Sequence, residues 1–187
     1  MRVFRVSIDY GKSGNELADE INGFGFSFTS PELLEEQLLN HTAEVESNGR
    51  TCHFLPYGAV DKCIHESAIK LLPPLDAKLV KINLDAIEME KFQHPFNEGA
   101  WFGVRPTQIV EMHPTAKVTY FTGPGIKEKM FRNVKTYVFE GKKLDNLTLF
   151  WIVSHGAELF ATDQFEAAYR KAGLTGLKFV DTNCKIV

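Results

Sequence analysis

The chain has 187 residues and a formal net charge of −3, with 44% apolar, 24% charged and 12% aromatic residues. This balance is that of an ordinary globular domain and excludes a disordered chain, a collagen or coiled-coil array and a disulfide scaffold. The mild charge gives no reason to expect nucleic acid or a membrane surface as partner, and no apolar run approaches the ~20 residues of a membrane helix.

Residues 2–9 alternate and predict a first strand, with Val3, Arg5 and Ser7 on one face and Phe4, Val6 and Ile8 on the other. The same alternation reads as a strand and not as a signal peptide. Ser13-Gly14-Asn15-Glu16 has the form of a capping box, followed by Leu17 and Ile21 one turn apart and Gly23 as a stop. Ser30-Pro31 opens a second helix over residues 32–39. Residues 40–50 are polar and predict a loop. Val60, Cys63, Ile64, Ser67, Ala68 and Leu71 recur at the spacing of one helix face, ended by Pro73-Pro74. Residues 78–85 alternate as a half-buried strand. Residues 92–104 form an aromatic-rich connection without a period. Strands are expected near 107–112, 116–122 and 134–140, and a polar turn over 141–146. The run Leu147–Val153 is apolar on both faces, as in an inner strand covered on two sides. A short strand over 158–161 leads into a helix capped by Thr162 or Asp163. Its buried stripe is Phe165, Ala168, Tyr169 and Ala172, and Gly173 stops it before a last strand over 174–180.

These elements predict one α+β domain over residues 1–187, with a mixed, mainly antiparallel sheet and helices packed on it. Three Cys fit free thiols in a reducing, cytoplasmic compartment. Charge is unevenly placed. Residues 1–48 hold nine acidic against three basic side chains, a net of −6, whereas residues 127–143 hold six basic against two acidic, a net of +4. Such runs are solvated faces or an acidic lobe turned toward a basic partner.

Chemical motifs are mostly absent. Gly11-Lys12-Ser13 after a strand resembles the end of a phosphate loop, but the required earlier Gly is Val6. Gly123-Pro124-Gly125 lacks dinucleotide spacing. His65-Glu66 begins a zinc-protease pattern, but Ile69 stands where the second His belongs. Cys52, His53, Cys63 and His65 lack the short hooks of structural zinc, and a helix would hold Cys63 and His65 about 160° apart. No metal and no cofactor are therefore expected. Ser154-His155 follows the inner strand, but adjacent strand-end residues point to opposite faces and do not readily form a nucleophile–base pair. No catalytic residue is assigned.

The aromatic connection holds Phe92, Phe96, Trp101 and Phe102 within eleven residues. They either fill a core under a long loop or form an exposed anchor patch, since aromatics dominate interface energetics. The second possibility, joined to the nearby carboxylates, makes Asp85, Glu88, Glu90, Phe96, Trp101 and Phe102 the candidate partner-binding residues.

From Lys143 to Phe179 the chain resembles a known family. The residues that carry the likeness are Leu144-Asp145, Leu149-Phe150-Trp151-Ile152, the run Leu159–Phe165 and the closing phrase Ala172-Gly173-Leu174-Thr175-Gly176-Leu177-Lys178-Phe179. This resembles the C-terminal module of a bacterial immunity-protein family from polymorphic toxin systems, many of whose members were catalogued as domains of unknown function. The strand–helix–strand module over 143–180 would then follow a variable part, residues 1–140, without a recognised match. One related group carries paired Cys-x-x-Cys-Gly zinc hooks, which this chain lacks. The resemblance implies a non-enzymatic protein that binds and neutralises a cognate toxin, with no role for nucleic acid or membrane. The competing reading is a small cytoplasmic enzyme with an unrecognised active site.

Overall fold

The computed structural model describes residues 1–9, 17–19, 42–45, 51–57, 61–84, 89–90, 92, 94–121, 131–153 and 158–187. The phosphate-loop-like Gly11-Lys12-Ser13, the helix expected over 32–39, Gly123-Pro124-Gly125 and Ser154-His155 lie outside the described residues.

The strands, in chain order, are β1 (Val3–Ile8), β2 (Leu17–Asp19), β3 (Thr42–Val45), β4 (Phe54–Tyr57) and β5 (Asp61–His65). The one-turn helix α1 (Glu66–Ile69) follows, then β6 (Ala77–Lys81), β7 (Asn83–Leu84), β8 (Trp101–Pro106) and β9 (Ile109–Val110). Next come β10 (Lys117–Tyr120), β11 (Phe131–Thr136), β12 (Val138–Phe139) and the short helix α2 (Gly141–Leu144). The chain closes with β13 (Leu149–Ile152), β14 (Leu159–Thr162), helix α3 (Asp163–Lys171), β15 (Leu177–Asp181) and β16 (Lys185–Ile186). One sheet has the order β15-β1-β14-β13-β9 and the other β6-β8-β5-β4-β2-β3-β7, with β10-β11 and β12-β16 as two-stranded pairs. Pairing is mainly antiparallel, with parallel contacts at β13-β9, β12-β16, β2-β4 and β3-β7. The fold is thus the expected α+β class, with few and short helices.

Strand alternation divides the apolar side chains among three cores. The central core lies between the sheets and holds Val6, Ile8, Phe54, Ile64, Val104, Leu149, Leu159 and Ala161, closed by Phe165 and Tyr169 of α3. The far face of the seven-stranded sheet packs Leu55, Cys63, Val80 and Ile82 under Phe92, Phe96 and Trp101. The far face of the five-stranded sheet packs Val3, Phe150, Ile152 and Phe160 against Val110, Phe139 and Leu144. Around β13, and around Cys63-Ile64 of β5, the sheets are covered on both sides, so these inner stretches read as continuous apolar runs. That is why Leu149-Phe150 is buried on both faces of an inner strand, as expected.

Polar contacts tie the layers together. The Thr148 N–H donates to Asp76 Oδ2 at 2.7 Å, its hydroxyl donates to the same oxygen at 2.8 Å, and the Asp76 N–H donates back to Thr148 Oγ1 at 2.9 Å. Arg105, fully buried, lays its guanidinium over the Trp151 ring at 4.4 Å. The C-terminal phrase is scaffold. Gly173 leaves α3 at φ 66°, and the Leu177 N–H donates to Tyr169 Oη at 2.9 Å. Phe179 meets Tyr169 at 5.0 Å and Phe165 at 6.1 Å between ring centroids. Gly176 sits at φ 106°, where a Cβ would overlap the Phe54 backbone carbonyl.

Several expected elements are corrected. Leu17–Asp19 is a strand paired with Thr42–Val45, not part of a helix, and the latter is not loop. The helix expected over 60–71 is strand β5 followed by the single turn α1. Cys63 and Ile64 are both buried because β5 lies between β4 and β8 and faces two cores. A short apolar run of this kind does not distinguish a two-sided strand from a helix face. The irregular connection expected over 92–104 ends in β8, an inner strand from Trp101 onward. The turn over 141–146 begins with helix α2, and the strand expected over 134–140 is two strands, β11 and β12.

Candidate functional site

The structure separates the six candidate partner-binding residues. Trp101 is 1% exposed, stacked on Phe92 at 5.4 Å, and Phe96 is buried beside it at 6.2 Å. Phe102, next in β8, points to the opposite face and packs half-buried on the central core. Of the expected aromatic anchors, Phe96 and Trp101 are therefore core residues. β8 is paired on both edges, to β5 and β6, and Trp101 packs under Phe92 and Phe96 on one face of the sheet. Glu90 is exposed, and Asp85 and Glu88 lie outside the described residues.

The same burial creates a polar cluster that the helical reading concealed. As strand residues two apart, Cys63 and His65 share a face, so His65 enters the core beneath Phe96 and Trp101 at centroid distances of 5.2 and 5.1 Å. Its Nδ1 caps α1, accepting from the Ser67 N–H at 3.2 Å and from the Ser67 hydroxyl at 2.8 Å. Nδ1 is then unprotonated, and Nε2–H donates to the Glu98 carbonyl at 2.8 Å. Glu66 Oε2 accepts from the Ala100 N–H at 3.2 Å, while its other oxygen meets Lys70 Nζ at 2.6 Å. Gly99, at φ 94°, lets this segment close over the ring, since a Cβ there would stand 3.1 Å from His65 Nε2. His53 lies across Phe96 at 5.0 Å, and its Nδ1 accepts from the Thr175 N–H at 3.3 Å. Burial lowers the pKa of both rings below the ordinary 6.5. The charge of His65 lowers His53 further, while for His65 the Glu98 carbonyl and the Glu66 carboxylate oppose part of the shift. Chemically the cluster offers a hydroxyl, a neutral base and a backbone orienter in sequence, held in a buried helix cap.

A second place is open to solvent. At the β9 edge of the five-stranded sheet, Ile109 is 62% exposed, and Val153, which follows β13, is 40% exposed. A groove of about 450 Å³ runs along this edge between Ile109, Leu147 and Val153, with Glu111 and Lys143 at its sides. It adjoins a second groove, of about 260 Å³, in which Val153 and Met112 face Val118, Tyr120 and Phe131 of the β10-β11 hairpin. Tyr120 is 41% exposed and stands 5.3 Å from Phe131 between centroids. Phe121, next in the chain, is 49% exposed. Four large exposed apolar side chains thus come from this sheet edge and this hairpin.

On the far side of the hairpin a groove of about 360 Å³ is polar and lined by Arg5, Arg132, Glu158 and Asp181; Arg5 meets Glu158 at 3.7 Å, and Asp181 meets Arg2 at 3.9 Å. Burial, then the Glu158 charge, raises the Tyr137 phenol, so it is neutral at physiological pH.

The open face carries a signal in the sequence. Ile109-Val110 is an adjacent apolar pair in a short edge strand, which can bury only one of the two. Which one faces out is a matter of tertiary packing.

Among the described residues, no three His, Cys, Asp or Glu side chains gather as a metal site, and no helix is long and apolar enough to cross a membrane. The molecule is a two-sheet α+β domain with one open apolar face and a buried histidine cluster. Neither a protein-family model nor a curated protein matches this chain.

Proposed function

We propose that the chain is a non-catalytic cytoplasmic immunity protein that binds and neutralises a cognate bacterial protein toxin. The observation that carries this reading is the open apolar edge at which Ile109, Val153 and Tyr120 line two adjoining grooves. Contiguous exposed apolar surface rimmed by polar groups marks interaction sites in otherwise well-packed proteins. The resemblance over residues 143–179 supports the same reading. Inhibition by steric cover needs surface complementarity and no cofactor. The test is to express the product of the adjacent gene, as the candidate toxin, with and without this chain. The toxin alone should arrest growth, this chain should restore it, and the two should co-purify as a complex. Continued arrest despite soluble expression of this chain would overturn the proposal.

The Ser67–His65–Glu98 arrangement favours a second reading, a small hydrolase with Ser67 as nucleophile and His65 as base. Against it, Nδ1 also holds the Ser67 N–H, and His65 is buried. Ser67→Ala separates the readings: protection that survives the substitution excludes the hydrolase, and protection lost in a normally stable variant favours it.

A further inference from the structure

We infer that β15 is a docking edge at which an extended segment of the toxin adds itself as a strand to the five-stranded sheet. This rests on the toxin-binding reading and names the mode of recognition. β15 ends its sheet, with β1 on its inner side and no strand on its outer side among the described residues. The Asp9 N–H donates to the Gly176 carbonyl at 2.8 Å, and the Thr182 N–H to the Val3 carbonyl at 3.0 Å. In the antiparallel register Ser7–Lys178 and Arg5–Val180, this phase turns the main chain of Lys178 and Val180 toward β1 and that of Leu177, Phe179 and Asp181 outward. Tyr169 Oη already takes the Leu177 N–H at 2.9 Å. The N–H and C=O groups of Phe179 and Asp181 have no partner among the described residues, and Val180 between them is 37% exposed. An extended main chain offers a matching acceptor and donor to each of two residues spaced in this way, which is how a peptide joins a sheet edge.

The flanks of the edge suit a strand as well. On the face of Arg5 and Val180 lies the groove of about 360 Å³, walled by Arg132 and Asn133 of β11. On the face of Leu177 and Phe179 lies a groove of about 410 Å³, walled by Tyr169, Arg170 and Leu174 at the end of α3. Alternate side chains of an added strand enter the two grooves in turn. Charged and polar groups line both, with Arg132 in the first and Lys178 in the second outside any ion pair among the described residues, so polar side chains fit. Phe131 lines the first groove and also the apolar groove across the hairpin, so a toxin that covers the open apolar edge reaches β15 over a continuous surface. A second copy of this chain would bring its own β11 and α3 against these two walls, whereas a lone segment brings only side chains.

The experiment mixes the full chain with the product of the adjacent gene and follows amide hydrogen exchange residue by residue by NMR. In the free chain the amides of Phe179 and Asp181 should exchange about tenfold or more faster than those of Lys178 and Val180, which are bonded to β1. In the complex the two outward amides should slow by about tenfold or more. Asp181→Pro removes an outward N–H and no bond to β1, and should weaken binding by about tenfold or more. Asp181→Asn keeps the N–H and should bind within about twofold of wild type, since it removes only a partly exposed charge. Circular dichroism checks that the proline variant folds; if it does not, the exchange pattern of the wild-type complex decides alone. Unchanged exchange at Phe179 and Asp181 in a formed complex, or a folded proline variant that binds as wild type does, would overturn this edge while leaving the toxin-binding reading intact. A wild-type chain that does not bind the product of the adjacent gene overturns both. Equal loss of binding in the Asn and Pro variants would assign the contact to the carboxylate, and protection of these amides in the free chain that is lost on dilution would assign the edge to a second copy. Either result overturns the inference.

Discussion

Trp101 is the residue at which an interface role and a core role part most clearly. Truncation to Ala removes an indole that is 1% exposed, stacked on Phe92 at 5.4 Å and edge-on to His65 at 5.1 Å. A buried Trp covers roughly 200 Å² or more, which at about 25 cal/mol per Å² corresponds to about 5 kcal/mol as an upper bound. Measured Trp→Ala losses of ~3–5 kcal/mol agree in scale. For a chain of this length each kcal/mol lowers Tm by about 2–4 °C, so a loss near 4 kcal/mol predicts a fall of roughly 8–16 °C. The indole N–H has no protein acceptor among the described residues, so Trp101→Phe removes no protein hydrogen bond and should cost only about 1–2 kcal/mol. Thermal and urea unfolding followed by far-UV circular dichroism would read both variants, with Trp151, the other tryptophan, as a fluorescence reporter of the two-sheet interface. A Tm within 3 °C of wild type for Trp101→Ala, a shift matching about 1 kcal/mol, would refute the burial argument and return this residue to the surface.

Three further outcomes follow from the geometry. His53 and His65 have lowered pKa values in the fold, so the unfolded chain binds more protons below about pH 6.5. Stability should be full above that pH and decline as pH falls through the folded values; replacing both rings with Gln should flatten this decline in pH-dependent denaturant midpoints. Gly176→Ala should cost well over ~2 kcal/mol because of its φ of 106° and the Phe54 carbonyl, whereas Gly173→Ala, at φ 66° with open space, should cost only about 1 kcal/mol; equal losses in chemical denaturation would contradict the geometry. Phe150→Ala, fully buried between Phe160 and Phe139 at 5.9 and 6.1 Å, should destabilise by ~3–5 kcal/mol, and the half-buried Trp151→Ala by less; the reverse order in unfolding midpoints would show that the Arg105–Trp151 contact outweighs core volume.

The sequence by itself determined the elements whose order is local. β1 is visible because its side chains alternate, and Leu149-Phe150 because consecutive buried residues require cover on both faces. The C-terminal module is visible because Thr162, the Phe165 and Tyr169 stripe, Gly173 and Gly176 each have a mechanical reason to sit where they do. Only the tertiary structure decided the rest. Cys63, Ile64 and Ala68 fit a helix face and a two-sided strand with its following turn equally well, and the neighbours β4 and β8 made them the latter. That choice moved His65 from a solvent-facing position to a buried cap over Ser67. Trp101 and Phe102 cluster in sequence as an interface would, yet strand pairing to β5 and β6 places them on opposite faces of a covered sheet. Ile109 and Tyr120, unremarked in sequence, stay outside because β9 ends its sheet and the hairpin shields only part of that edge. Composition and periodicity specify which residues are able to be buried; which of them remain exposed depends on what the rest of the chain covers, and that is a non-local property of the packing.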